Sequence, residues 1–267
     1  MKQALQAFFI MLFAYLPFSH VQASRQDPDA AAKERAWEAV QAHVNWAKQS
    51  TPGARIQVKE SSRHPDAVQY RFFVTGLPAD ALYLAVSWPI NSAPRQVMKG
   101  ITIGKDGALT CADNTPEECS NPDQSRDSPI DFTFYPQKGE PYRLMFISQQ
   151  NPGTKVAIVL VPDPIEGKDK GCGISAVRLT PKFELSYITG AGFPPNSDVM
   201  FETQSWDEKH DIPRKTDSDG NVDLIMLPAV AGHDQGTTKI EALVGNSCAP
   251  FLQFDWGPMS PAVVGRN

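Results

Sequence analysis

A chain of 267 residues with a formal net charge of −5 has room for two domains of ordinary size, each able to bury its own core. Mild acidity without any block of like charges gives no electrostatic reason to bind nucleic acid or an anionic membrane. The 23 prolines and 18 glycines disfavour long helices beyond the N-terminal region.

Lys2 supplies a positive start, Ala4 to Phe18 is nearly all apolar, and Val21-Gln22-Ala23 places small residues before Ser24. This is the pattern of a secretory signal. Its apolar run of about 15 residues is short of the roughly 20 a spanning helix needs. The expectation is a signal peptide over residues 1–23, cleaved on export, and a mature chain in the periplasm or outside the cell. No cysteine follows the cleavage site and no second apolar segment appears, so the mature chain is not expected to be an integral membrane protein. Removing Lys2 takes the net charge from −5 to −6.

Residues 24–53 are expected to hold one short amphipathic helix. Asp27 can cap it and Pro28 suits its first turn. Trp37, Val40, Val44 and Ala47 fall on one helical face, and Thr51-Pro52-Gly53 stops it. That stripe either packs on the β region that follows or docks a partner, which makes Trp37, Val40 and Val44 candidate interaction residues.

From residue 54 the pattern turns to strands. Gln69 to Val74 alternates, Leu82 to Val86 is a short apolar run, and Lys105-Asp106-Gly107 is a hairpin signal. Ile130–Tyr135, Tyr142–Ser148 and Lys155–Val161 follow, the last two joined by Asn151-Pro152-Gly153. Residues 54–162 read as a β-sandwich. The polar stretch 163–171 reads as a linker, a second block occupies 172–258, and 259–267 reads as a flexible tail.

The four cysteines are Cys111, Cys119, Cys172 and Cys248. An even number in an exported chain points to disulfides. Of the three possible pairings, Cys111–Cys119 and Cys172–Cys248 are favoured. The first closes a short polar loop and the second ties the start of the second block to its last hairpin. A metal site is the weaker reading, since there is no C-x-x-C and no histidine nearby in sequence.

The second block echoes the first. Phe73-Val74-Thr75 leads into Gly76-Leu77-Pro78, then Trp88, Lys105-Asp106-Gly107 and Tyr135-Pro136. Tyr187-Ile188-Thr189 leads toward Gly192-Phe193-Pro194, then Trp206, Ser218-Asp219-Gly220-Asn221 and Leu227-Pro228. Both tryptophans are expected to fill space between sheets.

The run Gly192-Phe193-Pro194-Pro195-Asn196-Ser197-Asp198-Val199, followed by Thr216-Asp217-Ser218-Asp219-Gly220-Asn221-Val222, resembles bacterial immunoglobulin-like modules. Those often read G-F-x-P-N-x-x-V and then T-D-x-x-G before a strand ending in proline. The resemblance covers residues 174–257, with 55–162 as a divergent second copy that lacks the Pro-Asn. It implies a seven-stranded sandwich used as a spacer, stalk or binding module, and it implies no ligand. The fold class expected is therefore mainly β: two tandem immunoglobulin-like sandwiches behind a signal peptide and a short helix.

Residues with the chemistry for catalysis or metal binding are few. Asp217 to Asp223 has the start of a calcium loop, but position twelve is Pro228 where an EF-hand needs glutamate. Trp206-Asp207-Glu208-Lys209-His210-Asp211 and His233-Asp234 gather carboxylates and imidazoles, and a solvated loop is the favoured reading. There is no G-x-S-x-G, H-E-x-x-H, P-loop or G-x-G-x-x-G. No catalytic residue, metal site or cofactor is expected. The leading expectation is a non-enzymatic exported binding, adhesion or envelope-scaffold protein with a protein or glycan partner. The alternatives are a secreted hydrolase using Asp207, Glu208 and His210, and a subunit of an envelope assembly docked through the N-terminal helix or a sheet edge. The oligomeric state is left open.

Overall fold

The computed structural model describes residues 37–90, 92–112, 119, 128–245 and 247–258. The expected signal peptide, residues 24–36 of the expected helix and the tail at 259–267 lie outside the described residues. The chain divides into residues 1–38 and 39–267. Of the first part only Trp37 and Glu38 are described, both helical and exposed. Among the described residues no helix is long and apolar enough to cross a membrane.

The chain is mainly β. Helical turns continue from residue 39 to 44 and tighten into a 3-10 turn, Trp46–Gln49. Eight strands then form two sheets: β1 (Arg55–Arg63), β2 (Val68–Thr75), β3 (Tyr83–Trp88), β4 (Arg95–Ile103), β5 (Leu109–Cys111), β6 (Asp131–Phe134), β7 (Tyr142–Ser148) and β8 (Lys155–Leu160). Their orders are β1-β2-β6 and β5-β4-β3-β7-β8. Eight more follow: β9 (Ile165–Asp169), β10 (Cys172–Arg178), β11 (Ser186–Ala191), β12 (Asp198–Ser205), β13 (Glu208–Lys215), β14 (Val222–Met226), β15 (Gly236–Leu243) and β16 (Phe251–Trp256). These are ordered β14-β11-β10-β9 and β13-β12-β15-β16.

Setting β5 and β9 aside, the two maps coincide strand for strand. The set β1-β2-β6 matches β10-β11-β14, and β4-β3-β7-β8 matches β13-β12-β15-β16. Each pair of sheets closes on its own core. Phe72, Tyr83, Ile101 and Phe146 lie in the first, and Ile188, Phe201, Ile240 and Phe254 in the second. Alternation builds these layers: β2 and β12 bury every second residue, so one face of each strand meets the core and the other does not.

The glycine before the second strand-to-strand turn is used the same way in both halves. Gly76 has φ +77°, and a Cβ there would lie 2.4 Å from the Gly53 carbonyl oxygen. Gly192 has φ +78°, and its Cβ would lie 2.3 Å from the Gly171 carbonyl oxygen. Only glycine tolerates both the backbone angle and the approach.

Disulfides join Cys111 to Cys119 and Cys172 to Cys248. The second spans 76 residues and pins the start of β10 to the turn between β15 and β16.

Two sequence expectations need correcting. The stretch 163–171 is no linker: Ile165–Asp169 forms β9, hairpinned to β10 and part of the sheet. Its glycine misled the reading. Gly167 occupies an inward position without a side chain because β16 approaches there, and a Cβ would sit 1.8 Å from the Phe251 carbonyl oxygen. The halves are also joined beyond the chain itself. Gly139 N–H donates to the Asp163 carbonyl at 2.7 Å and Arg178 N–H to the Gly139 carbonyl at 2.9 Å; residues 39–267 group as one compact unit, and two separate cores lie within it. Finally, Asp219-Gly220-Asn221 reads in the sequence as a hairpin turn, but β13 and β14, which flank it, lie in different sheets. It carries the chain between sheets, held by the Asp217 carboxylate accepting the Asp219 and Asn221 N–H groups.

Candidate functional site

The N-terminal segment is positioned by Trp46 rather than by the predicted stripe. Trp46 is buried among Met145 and Ala157, with Val86, Trp88, Ile147 and Val159 around it. Its indole N–H donates to the Leu144 carbonyl at 3.0 Å. Trp37 is exposed, Val40 and Val44 are half-buried, and Ala47 is exposed. Helical periodicity pointed elsewhere because Trp46 sits where the α-helix has already ended. Beyond it, Ser50 and Thr51 hydrogen-bond the edge of β8 through Ala157 and Lys155.

Two charged or titratable groups lie under this cover. Arg143 of β7 is 1% exposed. Its Nε donates to the His43 carbonyl at 3.3 Å, while Nη1 has no partner. Burial lowers its pKa to about 10. The His43 ring stacks on Trp88 at 3.8 Å. Burial, and secondarily the Arg143 charge, push its pKa down to about 4. A neutral imidazole is thus what this layer accommodates.

The equivalent position in the second half is built differently. Trp88 ends β3, and Trp206 directly follows β12, so the two expected space-filling tryptophans both lie at strand ends and not between sheets. The tryptophans inside are Trp46 and Trp256. Trp206 is the first central residue of the two-residue turn between β12 and β13, with φ +54°. Glycine is the usual occupant of such a position. A side chain held there costs on the order of 1–2 kcal/mol.

Several contacts hold this indole. It stacks on His233 at 4.0 Å and donates to the Gln235 carbonyl at 3.1 Å. Gly236 lies beneath it, where a Cβ would come within 2.5 Å of the indole nitrogen. Ser205, next in the chain, is buried and bonded to Trp256, Thr238 and the Pro228 carbonyl. Trp206 itself is still 50% exposed.

A groove of about 380 Å³ runs between β13 and β14, lined at one end by Ser205 and Glu208, the residues that flank this turn. Gln204, Glu208, His210, Asp211 and the exposed Leu227 line it above Ile212 and Met226. The carboxylates and imidazoles singled out from the sequence do not converge. Asp207, Glu208, His210, Asp211, His233 and Asp234 are all exposed, and the nearest ion pair, His210–Glu208, stands at 3.7 Å. Ser205 cannot serve as a nucleophile beside them, because its hydroxyl is occupied inside the core. Among the described residues no three metal-ligating side chains gather. A wider hollow of about 760 Å³ covers the outer face of β9-β10-β11-β14. Its floor is already paired within itself, Ser175 with Thr189 and Tyr187 with Asp223, both at 2.8 Å.

No protein-family model matches the chain, and no curated protein does. Among solved structures it is similar to the crystal structure of a tetra-tandem repeat in the extending region of a large adhesion protein, at 12% identity and a TM-score of 0.23. The match covers 76% of this chain and 48% of that one, so the chain spans about half the length of the structure it resembles. A likeness at that level transfers neither a role nor a ligand.

Proposed function

We propose that this is an exported, non-enzymatic binding protein, an adhesion or envelope-scaffold component, made of two immunoglobulin-like modules in tandem. The observation that carries the proposal is the strand map used twice over, each time around a separate core. Repeated sandwiches serve as spacers and display surfaces because each copy supplies rigid edges and loops. The n/h/c pattern of residues 1–23 supports export, and two disulfides suit an oxidising compartment. Dispersal of the carboxylates and imidazoles into solvent weighs against the hydrolase alternative.

The test has two arms. Mass spectrometry of the protein recovered from the producing cell's exterior or periplasm should find Ser24 at the N-terminus. The purified mature chain should be retained saturably by envelope material and turn over no glycosidic, ester or peptide substrate. A hydrolytic activity abolished by Glu208→Gln or His210→Ala would overturn the proposal.

A further inference from the structure

We infer that Trp206 is the platform of a carbohydrate-binding site, with the indole face turned away from His233 receiving a pyranose ring. The inference rests on the binding-protein reading above and names its ligand class.

The first support is conformational. A tryptophan stands at a positive-φ turn position where glycine would be relaxed. Backbone strain at an exposed residue is retained where the side chain has work to do. The second is rigidity. The His233 stack, the bond to the Gln235 carbonyl and the bare Gly236 backbone beneath fix the ring before any ligand arrives. A pre-fixed aromatic loses little conformational freedom on binding.

The third comes from the repeat. In the first half Trp88 also stacks on a histidine, His43, but Trp46 packs edge-on against it at 5.3 Å and the N-terminal segment covers the site. Among the described residues nothing comparable covers Trp206, which is 50% exposed.

The surroundings select the ligand. An indole face attracts positively polarised C–H groups, and a pyranose presents such a face with hydroxyls around its rim. Asp207 and Glu208 follow Trp206 in the chain, and Asp234 follows His233, all three exposed and able to accept from those hydroxyls; a groove of about 380 Å³ lined by Glu208, His210 and Asp211 lies next to the turn, with room for further sugars. A protein hot spot would instead need apolar neighbours that seal out water, whereas the residues next to Trp206 and His233 in the chain, Asp207, Glu208 and Asp234, are exposed carboxylates. A quaternary ammonium would be better served by several aromatic walls.

The experiment uses the full mature chain on an array of hexasaccharides of glucose, N-acetylglucosamine, galactose and mannose, followed by titration calorimetry on those retained. At least one should bind. Trp206→Gly, which relaxes the turn and leaves the melting temperature unchanged, should weaken it at least about tenfold, and Trp206→Phe should stay within about threefold. Gly236→Ala, which pushes the indole off its seat, should weaken it as well. The inference is overturned if no hexasaccharide binds, if Trp206→Gly binds as the parent does, or if choline binds at this turn and sugars do not. Should the array be silent while glycan-stripped envelope protein still retains the chain saturably, the sugar site falls and the binding-protein reading stands. If neither retains it, both fall.

Discussion

The two halves share a strand map yet treat the outer face of the larger shared sheet, β4-β3-β7-β8 and β13-β12-β15-β16, in opposite ways. In the N-terminal half that face presents Val86, Trp88, Met145, Ile147, Ala157 and Val159, and Trp46 lies on it. In the C-terminal half the corresponding strands present Glu202, Lys239, Gln253 and Asp255 exposed and Gln204 and Glu241 half-buried, with Met200 and Phe251 the exposed apolar residues among them. Strand β7 buries a continuous run from Arg143 to Phe146, whereas β16 alternates strictly. A sheet with one dry face reads as alternation, and a sheet buried on both reads as a run. Residues 39–50 are therefore part of the fold of the first half, and the second half needs no counterpart.

The sharpest way to break this contrast is at the two tryptophans. Trp46→Ala should cost about 3–5 kcal/mol, since it empties a packed layer and removes the indole hydrogen bond to the Leu144 carbonyl. Trp206→Gly should change stability by less than about 0.5 kcal/mol. Urea denaturation of both proteins decides it, and a cost below about 1 kcal/mol for Trp46→Ala would show the cover to be incidental.

Next in size come the paired glycines. Gly76→Ala and Gly192→Ala each meet a carbonyl oxygen at 2.4 and 2.3 Å with φ near +77°. Each should cost about 2–4 kcal/mol. Unequal costs, read from the same melts, would undo the equivalence of the two turns.

A smaller effect belongs to the covered face alone. The pKa of His43 in the folded chain is lowered to about 4, against an ordinary 6.5. The folded state therefore favours the neutral ring. Its contribution is complete above the ordinary value and is lost as pH falls toward the lowered one. Partial exposure screens the effect to about 1–2 kcal/mol. Chemical denaturation of the parent and of His43→Phe, compared at neutral and at acid pH, isolates it. An identical pH dependence in both would refute the assignment. Last, Glu208→Gln and His210→Ala should each shift stability by under about 0.5 kcal/mol, because that pair is solvated and 3.7 Å apart. A larger loss would mean that the turn is part of the core.

Much of the architecture was readable because local patterns recur. The alternation of Gln69–Val74 became β2, and Gly-Leu-Pro and Gly-Phe-Pro marked the same turn in each half. The misreadings share one cause. Gly167 made β9 look like a linker, though the glycine is there to admit β16. Trp46 fell outside a helical stripe because it acts from a 3-10 turn against a sheet about 100 residues away in the chain. Trp88 and Trp206 read as core because size and apolarity say nothing of depth. At the candidate site, the sequence brought Trp206 to notice as a core filler and as part of one polar run, and His233 as part of another. Their stacking and the left-handed turn arise from the fold.

The sequence by itself determined that this chain builds β-sheets, where its turns fall and that the pattern occurs twice, because those properties follow from residue periodicity and from the backbone freedom of glycine. Only the tertiary structure decided which faces are dry and which tryptophans are inside. Alternation groups side chains on a face without saying what lies across from it, and that depends on contacts between residues far apart in the chain.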